Sequence, residues 1–303
     1  MKTYSVDKDF KNIKIEDVEY DVFLMPSEDD KCKVVCNDEE KLYHTVEVVG
    51  DTLTINRINT RKWYENIYFG INFGNWDSLK MTVYLPEHEY QSLNIGTTSG
   101  EIDVSGSLKF YEAKISNTSG NIKCEGEFKG SVVFDTTSGD INLLNIRAED
   151  ISARSTSGDV SILSSNAKSK IYSKSTSGNV NISNITAGEM YAKCTSGDIN
   201  IQNTKADDIA VKSTSGDMQL KNVISNMDLR AESVSGDIEL YRCDGNALDL
   251  STVSGDVEGS IITEKAFIAN TVSGEIDIPA CTADSKCIIN TTSGDIDIDI
   301  SKK

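Results

Sequence analysis

From residue 91 onward, apolar and polar positions alternate in short runs, and the runs recur at a fixed distance. The tripeptide Thr/Val-Ser-Gly occurs eleven times, ending at Gly100, Gly120, Gly139, Gly158, Gly178, Gly197, Gly216, Gly236, Gly255, Gly274 and Gly294. Successive glycines lie 19 or 20 residues apart. Two positions after each glycine stands an apolar residue such as Ile102, Val160, Ile199 or Ile296. Four positions after it stands Val104, Ile162, Ile201 or Ile298, and the residue between is mostly polar. That period of two marks a half-buried strand. Another apolar pair precedes the glycine by seven and five positions, as in Leu93 and Ile95, Val132 and Phe134, or Leu248 and Leu250. A second strand is therefore predicted to run into the Ser-Gly corner. No stretch holds a sustained 3.6-residue period, so no helix is predicted after residue 90.

A unit this small cannot bury its own core. Stacking the units buries one continuous core and pairs each backbone with the coils above and below. At ~3.3 Å per residue the perimeter is near ~65 Å, enough for two or three short strands with corners. The predicted fold class is all-β, a parallel β-solenoid (β-helix) of 19–20 residues per coil over residues 91–303. A β-propeller is excluded because its blades need roughly 40 residues or more. Residues 1–90 are expected to form irregular N-terminal β coils and a cap, continuous with the solenoid. They hold 13 of the 21 aromatic residues. Runs at Phe10–Ile15, Thr52–Asn56, Tyr68–Phe73 and Met81–Pro86 read as strands. The aromatics are expected to pack on the end of the core. The alternative is a ligand surface around Trp63, Tyr64 and Trp76.

Aligned on the glycine, the columns acquire chemistry. The glycine itself is expected where φ is positive or where a side chain would collide with the neighbouring coil. An acid or Asn always follows it, and Asp198, Asp217, Asp237 and Asp256 stand in four successive units. Such a column could bind calcium through oxygen ligands. The plainer reading is that each Asp caps the turn and stays solvated. Cys194 falls in a column otherwise filled by Ser and Thr, which reads as a small buried thiol rather than a nucleophile, with no histidine in the repeats to activate it.

Charge and composition narrow the function. Lys and Arg total 30 against 48 Asp and Glu, a formal net charge of −18. Such a surface disfavours nucleic acid and polybasic-style membrane binding. Two histidines, His44 and His88, nearly exclude a His-rich zinc site and leave little room for a His-based triad. Seven scattered cysteines read as reduced thiols. The first residues show no signal-like apolar run and no stretch is long enough to span a bilayer, so a cytoplasmic location is expected.

The succession of short strands from Phe10 to Pro86, then Leu93-Asn-Ile-Gly-Thr-Thr-Ser-Gly-Glu-Ile102, then tandem Thr-Ser-Gly-Asp-Ile units, resembles the bacterial DUF4097 family of adhesin-like β-strand repeat proteins. The resemblance spans nearly the whole chain. It implies a right-handed parallel β-solenoid, a non-enzymatic role, an origin in a Gram-positive bacterium, and association with the cell envelope or its stress responses. It supplies no catalytic residues and no cofactor.

Three functions follow. The favoured one is an interaction module, expected to be monomeric, that contacts a protein or a cell-envelope glycan. The second is a carbohydrate-active β-helix enzyme of the polysaccharide-lyase kind, for which no long loop builds a groove wall. The third is a cytoplasmic scaffold polymerising end to end, against which the charges of Asp295, Asp297, Asp299, Lys302 and Lys303 speak.

Overall fold

The computed structural model describes residues 1–62 and 79–301, and the chain is an all-β parallel solenoid. Trp63, Tyr64, Trp76 and the expected strand Tyr68–Phe73 lie outside the described residues. Two compact units are present, Met1–Gly139 and Asp140–Lys303.

The second unit shows the repeat most plainly. The strands Val160–Leu163, Val180–Lys193, Ile199–Lys212 and Met218–Ser225 lie parallel and in register, so that Val160, Val180, Ile199 and Met218 form one row. Every member of that row is fully buried, as is the row Ile171, Met190, Ile209 and Leu229. The alternation read in the sequence thus points one set of side chains into a core shared by these coils.

The glycines face a close neighbour. A Cβ on Gly216 would stand 1.9 Å from the carbonyl oxygen of Gly197, and one on Gly255 2.2 Å from that of Gly236. Neither glycine has positive φ. Close approach of two backbones, and not a left-handed turn, therefore sets the requirement for glycine at this corner. The left-handed residues stand elsewhere, six positions after the glycine, at Asn145, Ser164, Asn184, Asn203, Asn222 and Arg242. Asn tolerates this conformation better than most residues. Its amides also bond along the stack, with Asn203 Nδ2 donating to Asn184 Oδ1 at 3.2 Å and Asn222 Nδ2 to Asn203 Oδ1 at 3.0 Å.

Coil order departs from chain order. The strand Ala247–Ser251 pairs with Lys286–Asn290, and Lys286–Asn290 pairs in turn with Ala266–Asn270. Val257–Ile261 likewise pairs with Ile296–Ile300, which pairs with Ile276–Asp277. The last coil in sequence is therefore inserted between the two that precede it. The coil left outermost exposes Val272 (83 %) and Ile276 (44 %).

The first unit repeats this device. The first coil, Asn12–Glu16 with Asp21–Pro26, lies between a coil made by Thr52–Asn59 and Lys80–Leu85 and one made by Glu89–Gly96 and Ile102–Val104. Three strands then add by antiparallel pairings, two onto the stack and the third onto one of those two. Leu42–Val49 pairs with Thr52–Asn59, Cys32–Cys36 with Lys80–Leu85, and Lys2–Val6 with Cys32–Cys36. They cover the edge that a parallel stack would otherwise leave unpaired.

Candidate functional site

In the first unit, titratable groups converge where the covering strands meet the first coil. His44 Nε2 lies 2.7 Å from Asp17 Oδ2 and its Nδ1 2.7 Å from Asp38 Oδ1. The His44 and Asp17 side chains are fully buried and that of Asp38 is 3 % exposed. Tyr4 donates to Asp38, and Tyr20 packs edge-on against the imidazole at 4.6 Å. Asp17 Oδ1 also accepts the backbone N–H groups of Val18, Glu19 and Tyr20. Burial opposes the charge on His44, but hydrogen bonds to the two carboxylates outweigh it and raise the imidazole pKa. Burial likewise opposes the charge on Asp17, and the bonds from His44 and the backbone outweigh it and lower that pKa. The group is an imidazole clamped between two carboxylates, which favour its protonated form. Cys36 stands beside it, with Sγ, an Asp38 oxygen and a His44 nitrogen within 4.8 Å of one another, a donor set able to take a metal ion. The Cys36 thiol is pushed up to about 12, chiefly by burial and then by Asp38 and Asp17, so it stays protonated. A buried, mutually bonded cluster of this kind ties strands together and offers no surface to a substrate.

The acid column lies in the second unit. Asp217 N–H donates to Asp198 Oδ1 at 3.0 Å, Asp237 N–H to Asp217 Oδ1 at 3.0 Å, and Asp256 N–H to Asp237 Oδ1 at 2.8 Å. The ladder then crosses to the inserted coil and on to the outermost one, with Asp295 N–H donating to Asp256 Oδ1 at 2.8 Å and Glu275 N–H to Asp295 Oδ1 at 2.8 Å. One oxygen of each acid therefore serves the backbone of the next coil. Asn179 does the same for Asp198, which is why Asn and Asp share the column.

The buried hydroxyl column behaves similarly. Ser175 Oγ donates to Gly158 O at 2.9 Å and accepts from Gly178 N–H at 3.0 Å. Cys194 reproduces both contacts through sulfur, at 3.0 and 3.1 Å.

What remains for a partner is the outward side of the coils. The register Arg154, Lys174, Lys193, Lys212 forms one outward column of four cations. Beside it run Ser152, Tyr172, Tyr191 and Ala210. The tyrosine rings stack at 5.3 Å and 10° between planes, and the Arg154 guanidinium lies 5.0 Å from the Tyr172 ring centre. A third outward column pairs its own charges, with Lys170 Nζ 3.4 Å from a Glu189 oxygen. Lys212 meets Glu232 at 2.7 Å, whereas Lys174 and Lys193 have no ion pair among the described residues. Elsewhere in this unit Glu239, Glu258 and Asp297 stand in register. The Glu239 carboxyl is raised by burial and by Glu258, Asp217 and Asp237. The unit is thus acidic where those carboxylates gather and basic along the tyrosine face.

Sequence reasoning named the four aspartates but neither the His44 cluster nor the tyrosine face. The cations were legible as a column one residue before the Ser/Thr column that Cys194 joins. The two tyrosines occur in only two of the coils, so no repeat betrays them.

The Toastrack DUF4097 family model matches residues 10–171, 127–241 and 163–303. Among solved structures, the chain is similar to a "putative lipid binding protein" from Parabacteroides distasonis, with 17 % identity, 98 % of this chain and 96 % of that one covered, and a TM-score of 0.49. It is also similar to a "putative adhesin" from Parabacteroides merdae, with 11 % identity, 98 % and 94 % coverage, and a TM-score of 0.42. A further "putative adhesin", from Bacteroides fragilis, has 14 % identity, 98 % and 97 % coverage, and a TM-score of 0.36. A search of curated proteins finds no match. With its repeats matched from Phe10 to the last residue, the chain belongs to the Toastrack DUF4097 family.

Proposed function

We propose that this protein is a non-enzymatic repeat scaffold that presents in-register outward columns to a protein or a cell-envelope glycan. The observation that carries this reading is the second unit's grid of outward side chains, in which Arg154, Lys174, Lys193 and Lys212 repeat coil by coil beside Tyr172 and Tyr191. The groups that could do chemistry are committed to structure. The acids of the ladder hold backbone, the hydroxyls and Cys194 clip one glycine corner to the next, and His44 is locked between two carboxylates. A repeating flat face multiplies weak contacts along an extended partner, as solenoids do with their binding surfaces.

The test has two arms. The purified full chain is applied to an array of cell-envelope glycans and used as bait for envelope proteins, and it is incubated with acidic and neutral polysaccharides. Saturable binding without release of unsaturated or reducing products is expected. Product release at a catalytic rate, or no binding in either format, would overturn the reading.

A further inference from the structure

We propose that the ridge Arg154–Lys174–Lys193–Lys212, together with Tyr172 and Tyr191, binds an acidic polysaccharide laid along the stack of coils. This rests on the interaction-module reading and names the chemistry of its partner.

Three observations lead there. First, the ridge keeps like charges in register. Neighbouring rungs of a parallel sheet are ~4.8 Å apart, so successive ammonium groups repel. Elsewhere on the outward side opposite charges stand side by side, as in Lys170 with Glu189 and Arg230 with Asp249. Lys212 finds Glu232, but Lys174 and Lys193 have no ion pair among the described residues. In a chain with net charge −18, two such neighbouring cations are a local reversal of the protein's field. A bound polyanion would neutralise them.

Second, the partner must be extended. The cations follow one another along the stack, and each sits one coil from the next through exact pairing of Lys174 with Lys193 and Lys193 with Lys212. A single phosphate or carboxylate would engage only one rung. A linear polymer with regularly spaced anions engages them all.

Third, the partner has faces to stack. Tyr172 and Tyr191 are half-buried and lie two residues before Lys174 and Lys193 in their strands, on the same outward side. The next residue of the tyrosine column is Ala210, whose side chain is a single methyl group. The C–H face of a pyranose packs on an aromatic ring in such a place. A uronic-acid polymer supplies both elements, one ring and one carboxylate per unit. An acidic peptide supplies only the charges, and an anionic membrane has no sugar ring to stack.

The experiment uses the full chain and four probes by isothermal titration at low ionic strength: a decameric oligogalacturonate, poly-L-glutamate, phosphatidylglycerol vesicles and uncharged dextran. Oligogalacturonate is expected to bind tightest, and its affinity to fall steadily as salt is raised, because released counterions accompany each neutralised charge. Lys174→Glu with Lys193→Glu should weaken it at least tenfold. Tyr191→Ala should weaken oligogalacturonate several-fold and leave poly-L-glutamate unchanged. All substituted side chains point outward, and unchanged circular dichroism and melting temperature confirm that the variants fold. The proposal is overturned if oligogalacturonate binds no better than dextran, if the double charge reversal leaves its affinity intact, or if poly-L-glutamate or the vesicles bind as well. Should oligogalacturonate fail while another glycan or a protein binds the same chain, the ligand assignment falls and the interaction-module reading stands.

Discussion

Asp217 shows how a residue chosen for charge can be retained for geometry. Its Oδ1 accepts the N–H of Asp237, and its own N–H donates to Asp198. An Asn offers the same acceptor, whereas Ala offers none. Asp217→Asn should therefore change unfolding free energy by under about 0.5 kcal/mol. Asp217→Ala should cost about 1 kcal/mol, the net value of one intramolecular hydrogen bond. Urea denaturation distinguishes the two, and equal losses would contradict the ladder. His44 is the costlier residue. His44→Ala leaves Asp17 and Asp38 buried without their cation, an expected loss of about 3–5 kcal/mol. The pH dependence has a definite sign. The His44 pKa is raised by folding, so its contribution is complete below the ordinary value of about 6.5 and is lost as pH rises through the raised value. The Asp17 pKa is lowered, so its contribution holds above about 3.9 and is lost as pH falls through the lowered value. The deficit of His44→Ala should be greatest between about pH 4 and 6.5 and should shrink on the alkaline side. A deficit independent of pH up to strongly alkaline conditions would show that His44 is not held as a cation.

At the scale of elements, the inserted C-terminal coil carries more than its position in the chain suggests. Cys287, Ile289, Ile296 and Ile298 are buried to 1 % exposure or less. Each of the three isoleucines contributes roughly 1.5–3 kcal/mol relative to an exposed side chain. Removing residues 286–303 would take away the layer between two coils and strip Ala266–Asn270 of its parallel partner. The truncated chain should melt at least 10 °C lower, at about 4–8 °C per kcal/mol for a small cooperative unit and about half that for a larger one. A melting temperature unchanged by the truncation would contradict the insertion. The strands themselves were legible, because Ile199, Ile201, Ile296 and Ile298 stand at fixed distances from glycine and alternate with polar residues. The order of the coils was not. The 19- and 20-residue spacings run evenly through Gly255, Gly274 and Gly294, and nothing local marks Gly274 as outermost. The left-handed corner was readable in hindsight from Asn145, Asn184, Asn203 and Asn222, all six residues after a glycine. The His44 cluster was not, since Asp17, Asp38 and His44 meet only after antiparallel strands fold over the first coil.

Across the whole molecule, each unit places the coil nearest its chain end in the same manner. The coil nearest the terminus in sequence is placed second from the end of its stack and is paired on both sides. At the C-terminus, fraying, which begins where backbone groups lack partners, is thereby moved to the internal segment 266–277. The register that produces this arrangement also lines up the lysine ridge, the acid ladder and the glycine corner, so one observable reports on all of them. Hydrogen exchange of backbone amides, resolved by segment, is that measurement. Residues 286–300, paired on both sides, should exchange more slowly than residues 266–277, paired on one. Protection that declined steadily toward the C-terminus would instead mean that these coils stack in simple sequence order, and the account would fail.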